Sequence, residues 1–169
     1  MIKKIILVTV SALLFTVGAV AQSQTEAKRF FLNAELSNLN LKFTPAPFEF
    51  GVGAGGGFFV IDNLAVRAQA GVRFMAGQDG GNSHTNVDFG VGGRYYLKGI
   101  FLDALFQGAN IGVNSKGHRK LEVGVRGALG YAFFLNDHVS LEPAVTFGKF
   151  FMDGSKFQAG LNAAFSFYF

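Results

Sequence analysis

The constraint that most narrows what this chain can fold into is a period of two. Eight separate stretches alternate apolar residues with polar or small ones, the pattern of a strand with one apolar and one polar face. The first sets Phe30, Leu32, Ala34 and Leu36 against Phe31, Asn33, Glu35 and Ser37. The second sets Phe48, Phe50, Val52, Ala54 and Phe58 against Glu49 and the glycines 51, 53, 55 and 57. The third, the clearest, alternates from Leu64 to Phe74 against Arg67, Gln69, Gly71 and Arg73. A fourth runs from Val87 to Leu97 against Asp88, Gly90, Gly92, Arg94 and Tyr96, and a noisier fifth sets Leu102, Ala104 and Phe106 against Asp103, Leu105 and Gln107. The sixth runs from Leu121 to Phe133 against Glu122, Gly124, Arg126, Ala128 and Gly130. The seventh opposes Val139, Leu141, Val145 and Phe147 to Ser140, Glu142, Thr146 and Gly148. The eighth opposes Phe157, Ala159, Leu161, Ala163, Phe165, Phe167 and Phe169 to Gln158, Gly160, Asn162, Ser166 and Tyr168.

The connections alternate too. Ile61-Asp62-Asn63, Lys98-Gly99 and Asn136-Asp137-His138 carry the Asn, Asp and Gly of tight turns, whereas Thr44 to Pro47, Ala76 to Thr85, Asn114 to Lys120 and Met152 to Lys156 are longer on the whole. Short turns on one rim and longer loops on the other is the layout of an up-and-down membrane barrel. An even number of strands also closes without leaving an open edge.

The first residues stand apart from this pattern. Lys3 and Lys4, an apolar run from Ile5 to Val17 and the small residues Ala19-Val20-Ala21 form the layout of a secretory signal peptide, with cleavage expected after Ala21. The apolar run is shorter than the ~20 residues a spanning helix needs. Residues 1–21 are therefore read as a cleaved signal and 22–169 as one barrel domain. Each of eight strands, with its connection, then has about 18 residues, enough for the ~9–11 that a tilted strand needs to cross a bilayer.

Composition removes whole classes. There is no Cys, which excludes a disulfide scaffold, a thiolate zinc site, a thiol nucleophile and a lipid-modified cysteine. Only 15% of residues are charged, and the net charge of +4 falls to +2 without Lys3 and Lys4, too little for nucleic acid.

The charges also say which face points where. Ten of them lie on the polar faces of the strands: Glu35, Glu49, Arg67, Arg73, Asp88, Arg94, Asp103, Glu122, Arg126 and Glu142. Six acids and four arginines spread over seven strands suit an interior network in which each charge has a partner, as burial demands. A soluble exterior would carry more Lys and Glu. A soluble exported barrel with an apolar ligand inside is the alternative, since it shows the same period with the faces reversed.

With these residues in view, the chain resembles the small eight-stranded outer-membrane barrels of Gram-negative bacteria, the family of the OmpA membrane domain and OmpX. The run Phe157 to Phe169 is similar to the C-terminal signal of such barrels, with Phe165, Phe167 and Phe169 in register. The resemblance implies an all-β, eight-stranded antiparallel up-and-down transmembrane β-barrel in the cell outer membrane, both termini periplasmic. It implies contact with outer-membrane lipid and lipopolysaccharide, and delivery to the barrel-assembly machinery through the terminal strand. There are departures. Trp is absent and Tyr scarce, so phenylalanines such as Phe30, Phe48, Phe74, Phe89, Phe133, Phe147, Phe165 and Phe167 would form the aromatic girdles. Pro143 sits inside the seventh strand, where a bulge or irregularity is expected.

Enzymatic chemistry is not expected. The histidines are His84 and His118, in the long loops, and His138, in a tight turn. Neighbouring Ser83 and His84 would point to opposite sides of a strand, and their spacing does not match lipid A deacylase barrels. No metal-ligand spacing and no cofactor motif occurs; Gly53-Ala-Gly-Gly-Gly57 lacks the helix and Lys of a phosphate loop. Lys116, Arg119 and Lys120 form one basic cluster, which could meet lipopolysaccharide phosphates on an outward rim. The reading is a monomeric outer-membrane barrel with a structural or surface-interaction role; a lipid A-modifying enzyme is the less favoured alternative.

Overall fold

The computed structural model describes residues 24–39, 49–75, 84–113, 119–152 and 154–169. The expected signal segment, Phe48, Ser83, Lys116 and His118 lie outside them. The strands are β1 (Phe30–Leu39), β2 (Glu49–Ile61), β3 (Leu64–Met75), β4 (His84–Leu97), β5 (Ile100–Val113), β6 (Arg119–Tyr131), β7 (Phe133–Asn136), β8 (Val139–Phe150) and β9 (Gln158–Tyr168). All pairings are antiparallel and run in the order β6-β5-β4-β3-β2-β1-β9-β8-β7, with β6 also pairing β8. The sheet thus closes on itself as an up-and-down barrel. β6 and β7 are two lengths of one wall strand, so the barrel has eight strands.

Pro143 explains why that strand is divided, and corrects the expectation placed on it. β8 runs through Pro143 without a shift, pairing it with Ala163 of β9 in continuous register. The ladder instead lapses on the other side, between Gly130↔Ala144 of β6–β8 and Phe133↔Leu141 of β7–β8, and the register is the same above and below the gap. Proline offers no N–H to that neighbour. Ala132, between β6 and β7, faces the other neighbour and donates its N–H to the carbonyl of Gly99 at 2.7 Å on the β5 side.

The strands are longer than their alternation suggested. Thr85 and His84 open β4, with His84 opposite Met75, and Arg119 and Lys120 open β6 opposite Val113 and Gly112. These residues therefore belong to barrel wall rather than to the long loops. Backbone pairing continues wherever two strands have already been brought side by side, whether or not the side chains still alternate.

The tight turns fall as expected at residues 62–63, 98–99 and 137–138. Lys98 and Gly99 both have positive φ, 50° and 89°, the form of a two-residue hairpin whose twist matches its strands. A Cβ at Gly99 would also sit 2.9 Å from the Tyr131 ring. Gly99→Ala is therefore expected to cost about 1–2 kcal/mol, read as a lower midpoint in urea unfolding from detergent.

One element was not foreseen. Residues 24–29 lie across the tight-turn mouth: Gln24 Nε2 donates to the Asp137 carbonyl at 2.8 Å, Thr25 Oγ1 to Asn63 Oδ1 at 2.6 Å, and the Ala27 N–H to Asp62 Oδ1 at 2.9 Å. Gln24 and Thr25 are fully buried by this strap.

Candidate functional site in the barrel interior

Alternation sends every second side chain inward, and an eight-stranded barrel has just enough width for side chains to fill. The inward residues lie in layers. Nearest the tight turns is an aromatic floor of Phe31, Phe59, Tyr96, Phe101 and Tyr168, all essentially buried, with ring centroids 5.7 Å apart for Phe31 and Phe59 and 5.9 Å for Tyr96 and Phe101. The strands supply these rings from the same parity positions that carry charge higher up the wall.

Arg94 stands on this floor. Its Nε donates to Asp103 Oδ1 at 2.6 Å and its Nη2 to Asp103 Oδ2 at 2.8 Å, a two-pronged pair. Its Nη1 donates to Glu142 Oε2 at 2.5 Å and to the Tyr96 hydroxyl at 3.1 Å. The guanidinium lies 4.1 Å from the Phe101 ring centroid, a cation–π contact. Glu142 Oε1 in turn accepts from Tyr168 at 2.6 Å and Ser140 at 2.8 Å, and the Tyr96 and Tyr168 hydroxyls are 2.9 Å apart.

The next layer is built round Arg67, which reaches Asp103 through Nη1 and donates from Nη2 to Gln69 Oε1 at 2.9 Å. Glu35 lies 3.9 Å from Arg67 and 3.7 Å from Arg126, and accepts from Asn162 Nδ2 at 3.3 Å. Arg73 and Asp88 form a looser pair at 3.9 Å, nearer the long-loop end. Arg67, Arg94 and Arg126 thus face Glu35, Asp103 and Glu142, three cations against three anions. Eight of the ten charged positions singled out from sequence meet in these contacts. Glu122 is half-buried on β6, and Glu49 pairs with Met75 at the end of β2, its side chain outside the described residues.

Around this cluster the interior leaves almost no room. The cavity between Arg67, Arg94, Arg126 and their partners is about 10 Å³, at the lower limit of the ~10–15 Å³ a single water needs. Such a cluster ties together the strands that carry it. Among the described residues no group of three His, Asp or Glu side chains could hold a metal ion.

The outward face is the reverse of the interior. Large apolar side chains are exposed from Phe30 and Leu32 on β1 to Phe165 and Phe167 on β9, most of them about half exposed. Rings gather at both ends of the wall: Phe30 stacks on Phe169 at 4.9 Å, and Tyr131 lies 4.6 Å from Phe133, near the tight turns, while Phe50 stacks on Phe74 at 5.1 Å toward the long loops. Phe165, Phe167 and Phe169 all point outward, and Phe169 closes the seam: its N–H donates to the Phe30 carbonyl at 2.9 Å. Arg119 and Lys120 sit at the start of β6, and the side chains of this basic cluster are outside the described residues.

Sequence reasoning missed the aromatic floor and the hydroxyls of Tyr96, Tyr168 and Ser140. Parity carried the signal: Tyr96 and Tyr168 share a face with Arg94 and Ser166, where an apolar or lipid-facing role is out of place.

Neither a family model nor a curated protein sequence matches the chain. Solved structures do. The N-terminal β-barrel domain of Pseudomonas aeruginosa OprF is similar with a TM-score of 0.59 at 13% identity, over 83% of this chain and 98% of that one. The Yersinia pestis outer membrane protein Ail, in a phospholipid bilayer nanodisc, gives 0.57 at 9% identity over 84% and 99%. Neisserial surface protein A gives 0.56 at 12% identity over 83% and 96%. With a closed ring of eight antiparallel strands matching each of these nearly end to end, the chain has the fold of the small eight-stranded outer-membrane barrels.

Proposed function

We propose that the protein is an integral outer-membrane barrel, exported through a cleaved signal of residues 1–21, whose role is structural or surface-interactive rather than enzymatic. The observation that carries this reading is the pairing of an exposed, apolar outer wall with a buried, charge-matched interior. Water would oppose both halves of that arrangement, and hydrocarbon favours both. A soluble barrel with an apolar ligand inside would need the opposite distribution, and the 10 Å³ cavity at the charged cluster offers such a ligand no space.

In this reading the barrel acts as a monomer in contact with outer-membrane lipid. Lys116, Arg119 and Lys120 meet lipopolysaccharide phosphates from the long-loop rim. Phe165, Phe167 and Phe169 present the terminal strand to the barrel-assembly machinery. The fold alone carries no catalytic activity, and the filled interior favours the non-enzymatic reading.

The test is a charge on the wall. Val91 is outward and about halfway up β4. Val91→Arg is expected to destabilise the barrel by about 2–4 kcal/mol in bilayers, with the wild type needing detergent for extraction and migrating differently on gels before and after heating. A wild type found soluble without detergent, or a variant as stable as the wild type, would sink the proposal. Lipid A of unchanged acylation in a deletion strain is the expected companion result; altered acylation would restore the enzyme.

A further inference from the structure

The outer wall is not uniformly filled. On neighbouring strands the outward positions form cross-strand rows: Ala104, Gly127 and Phe147 make one, and Phe106, Val125 and Lys149 make the next toward the long loops. Ala104 and Gly127 supply almost no side chain, and the Phe147 ring lies over Gly127 so closely that a Cβ there would come within 2.3 Å of it. The result is a groove of about 560 Å³ on the outside of the barrel, floored by Ala104 and walled by Leu102, Phe106, Phe147 and Phe157. The groove is open along its outer side, so a chain would lie along it rather than be enclosed.

The groove ends at a cation. Lys149 is exposed on the outward side of β8, and among the described residues it forms no ion pair. It stands ten residues along β8 from Val139 at the tight-turn rim. At about 3.3 Å per residue and a tilt of ~35–45°, that places it roughly 25 Å above that rim, the height of the apolar band of such barrels. An ammonium at this level meets the headgroup layer while the groove beneath it stays in hydrocarbon. Shape and charge together fit a molecule with an acyl chain below and a phosphate above. The long-loop rim faces outward in barrels of this layout, which selects the lipid of the outer leaflet.

We propose that this groove seats one acyl chain of a lipopolysaccharide molecule whose phosphate pairs with Lys149. The inference rests on the outer-membrane reading above and adds to it a specific seat, distinct from the rim cluster Lys116, Arg119 and Lys120.

The experiment reconstitutes the barrel, refolded in detergent without lipid, into phosphatidylcholine bilayers doped either with lipopolysaccharide or with phosphatidylglycerol. Lipid retained per barrel after mild extraction is counted by native mass spectrometry. Wild type is expected to retain lipopolysaccharide, Lys149→Gln to bind it about tenfold more weakly, Lys149→Arg to keep it, and Ala104→Phe, which fills the floor, to lose it. Lys98→Gln, in a turn at the opposite rim, is expected to behave as wild type. Equal retention in wild type and Lys149→Gln overturns the proposal, as does equal uptake of phosphatidylglycerol by wild type. If Ala104→Phe fails to fold, the Lys149 series decides alone. A chain that does not enter pure phosphatidylcholine bilayers overturns the membrane reading before any lipopolysaccharide is added, so the two failures are separate.

Discussion

Arg94→Ala is expected to lower the unfolding free energy of the barrel in detergent by about 3–5 kcal/mol, the cost of leaving buried charges without their partner. Among the described residues Arg94 alone forms an ion pair with both Asp103 and Glu142. Without it the central cluster holds three carboxylates against two arginines, and Glu142 retains only the hydroxyls of Ser140 and Tyr168. Urea unfolding followed by intrinsic fluorescence or by the heat-dependent gel shift would read the loss. Arg67→Ala is expected to cost less, because Asp103 keeps its two-pronged contact with Arg94. Equal stability of wild type and Arg94→Ala would show that the interior does not depend on the pair. Arg94→Lys should recover only part of the loss, since an ammonium cannot make the two parallel bonds to Asp103 and a third to Glu142.

The second large effect lies in the floor. Phe31 is fully buried, 5.7 Å from the Phe59 ring and 5.8 Å from Tyr168, with the Arg94 guanidinium 5.6 Å from its centroid. Phe31→Ala is expected to cost about 3–5 kcal/mol through the cavity it leaves. Phe30→Ala, one residue away, removes the same ring from the half-exposed outer wall, where detergent can flow in to replace it, and should cost clearly less. A pair of equal losses would mean that the two phenylalanines share one environment, against the inward and outward assignment. Unfolding midpoints of both variants in the same detergent supply the comparison.

That pair also shows how far the sequence could be read. Alternation put Phe31 on the face of Asn33 and Glu35, and Phe30 with Leu32; both assignments describe the folded barrel. Strand number, tight turns and the side on which Arg67, Arg94 and Asp103 lie were legible, because each depends on neighbours in the chain. The partners of Arg94 were not. Asp103 comes from the adjacent strand, but Glu142 comes from β8, 48 residues on, and only the curvature of a closed sheet brings it there. Pro143 was legible as a break but not for its location: the proline keeps its own strand whole and interrupts the neighbour that would have used its missing N–H. Lengths of β4 and β6 were underread because Thr85, His84, Arg119 and Lys120 pair through backbone, which leaves no trace in hydropathy. The strap of Gln24 and Thr25 carries no periodic signal at all.

The seam between β1 and β9 has a consequence for the order in which this wall is put together. Every other neighbouring pair is joined by a hairpin, so its ends start close. Phe31 and Tyr168 face each other across roughly 140 residues of chain, and joining them costs about 2 kcal/mol more loop entropy than closing a ten-residue connection. The hairpins can therefore zip up one after another while the seam stays open, which makes ring closure the late, slow event. Until then the growing sheet has two bare margins, at β1 and β9, each able to accept a strand from another molecule. The rings of Phe30 and Phe169 can stack only once that interval is over.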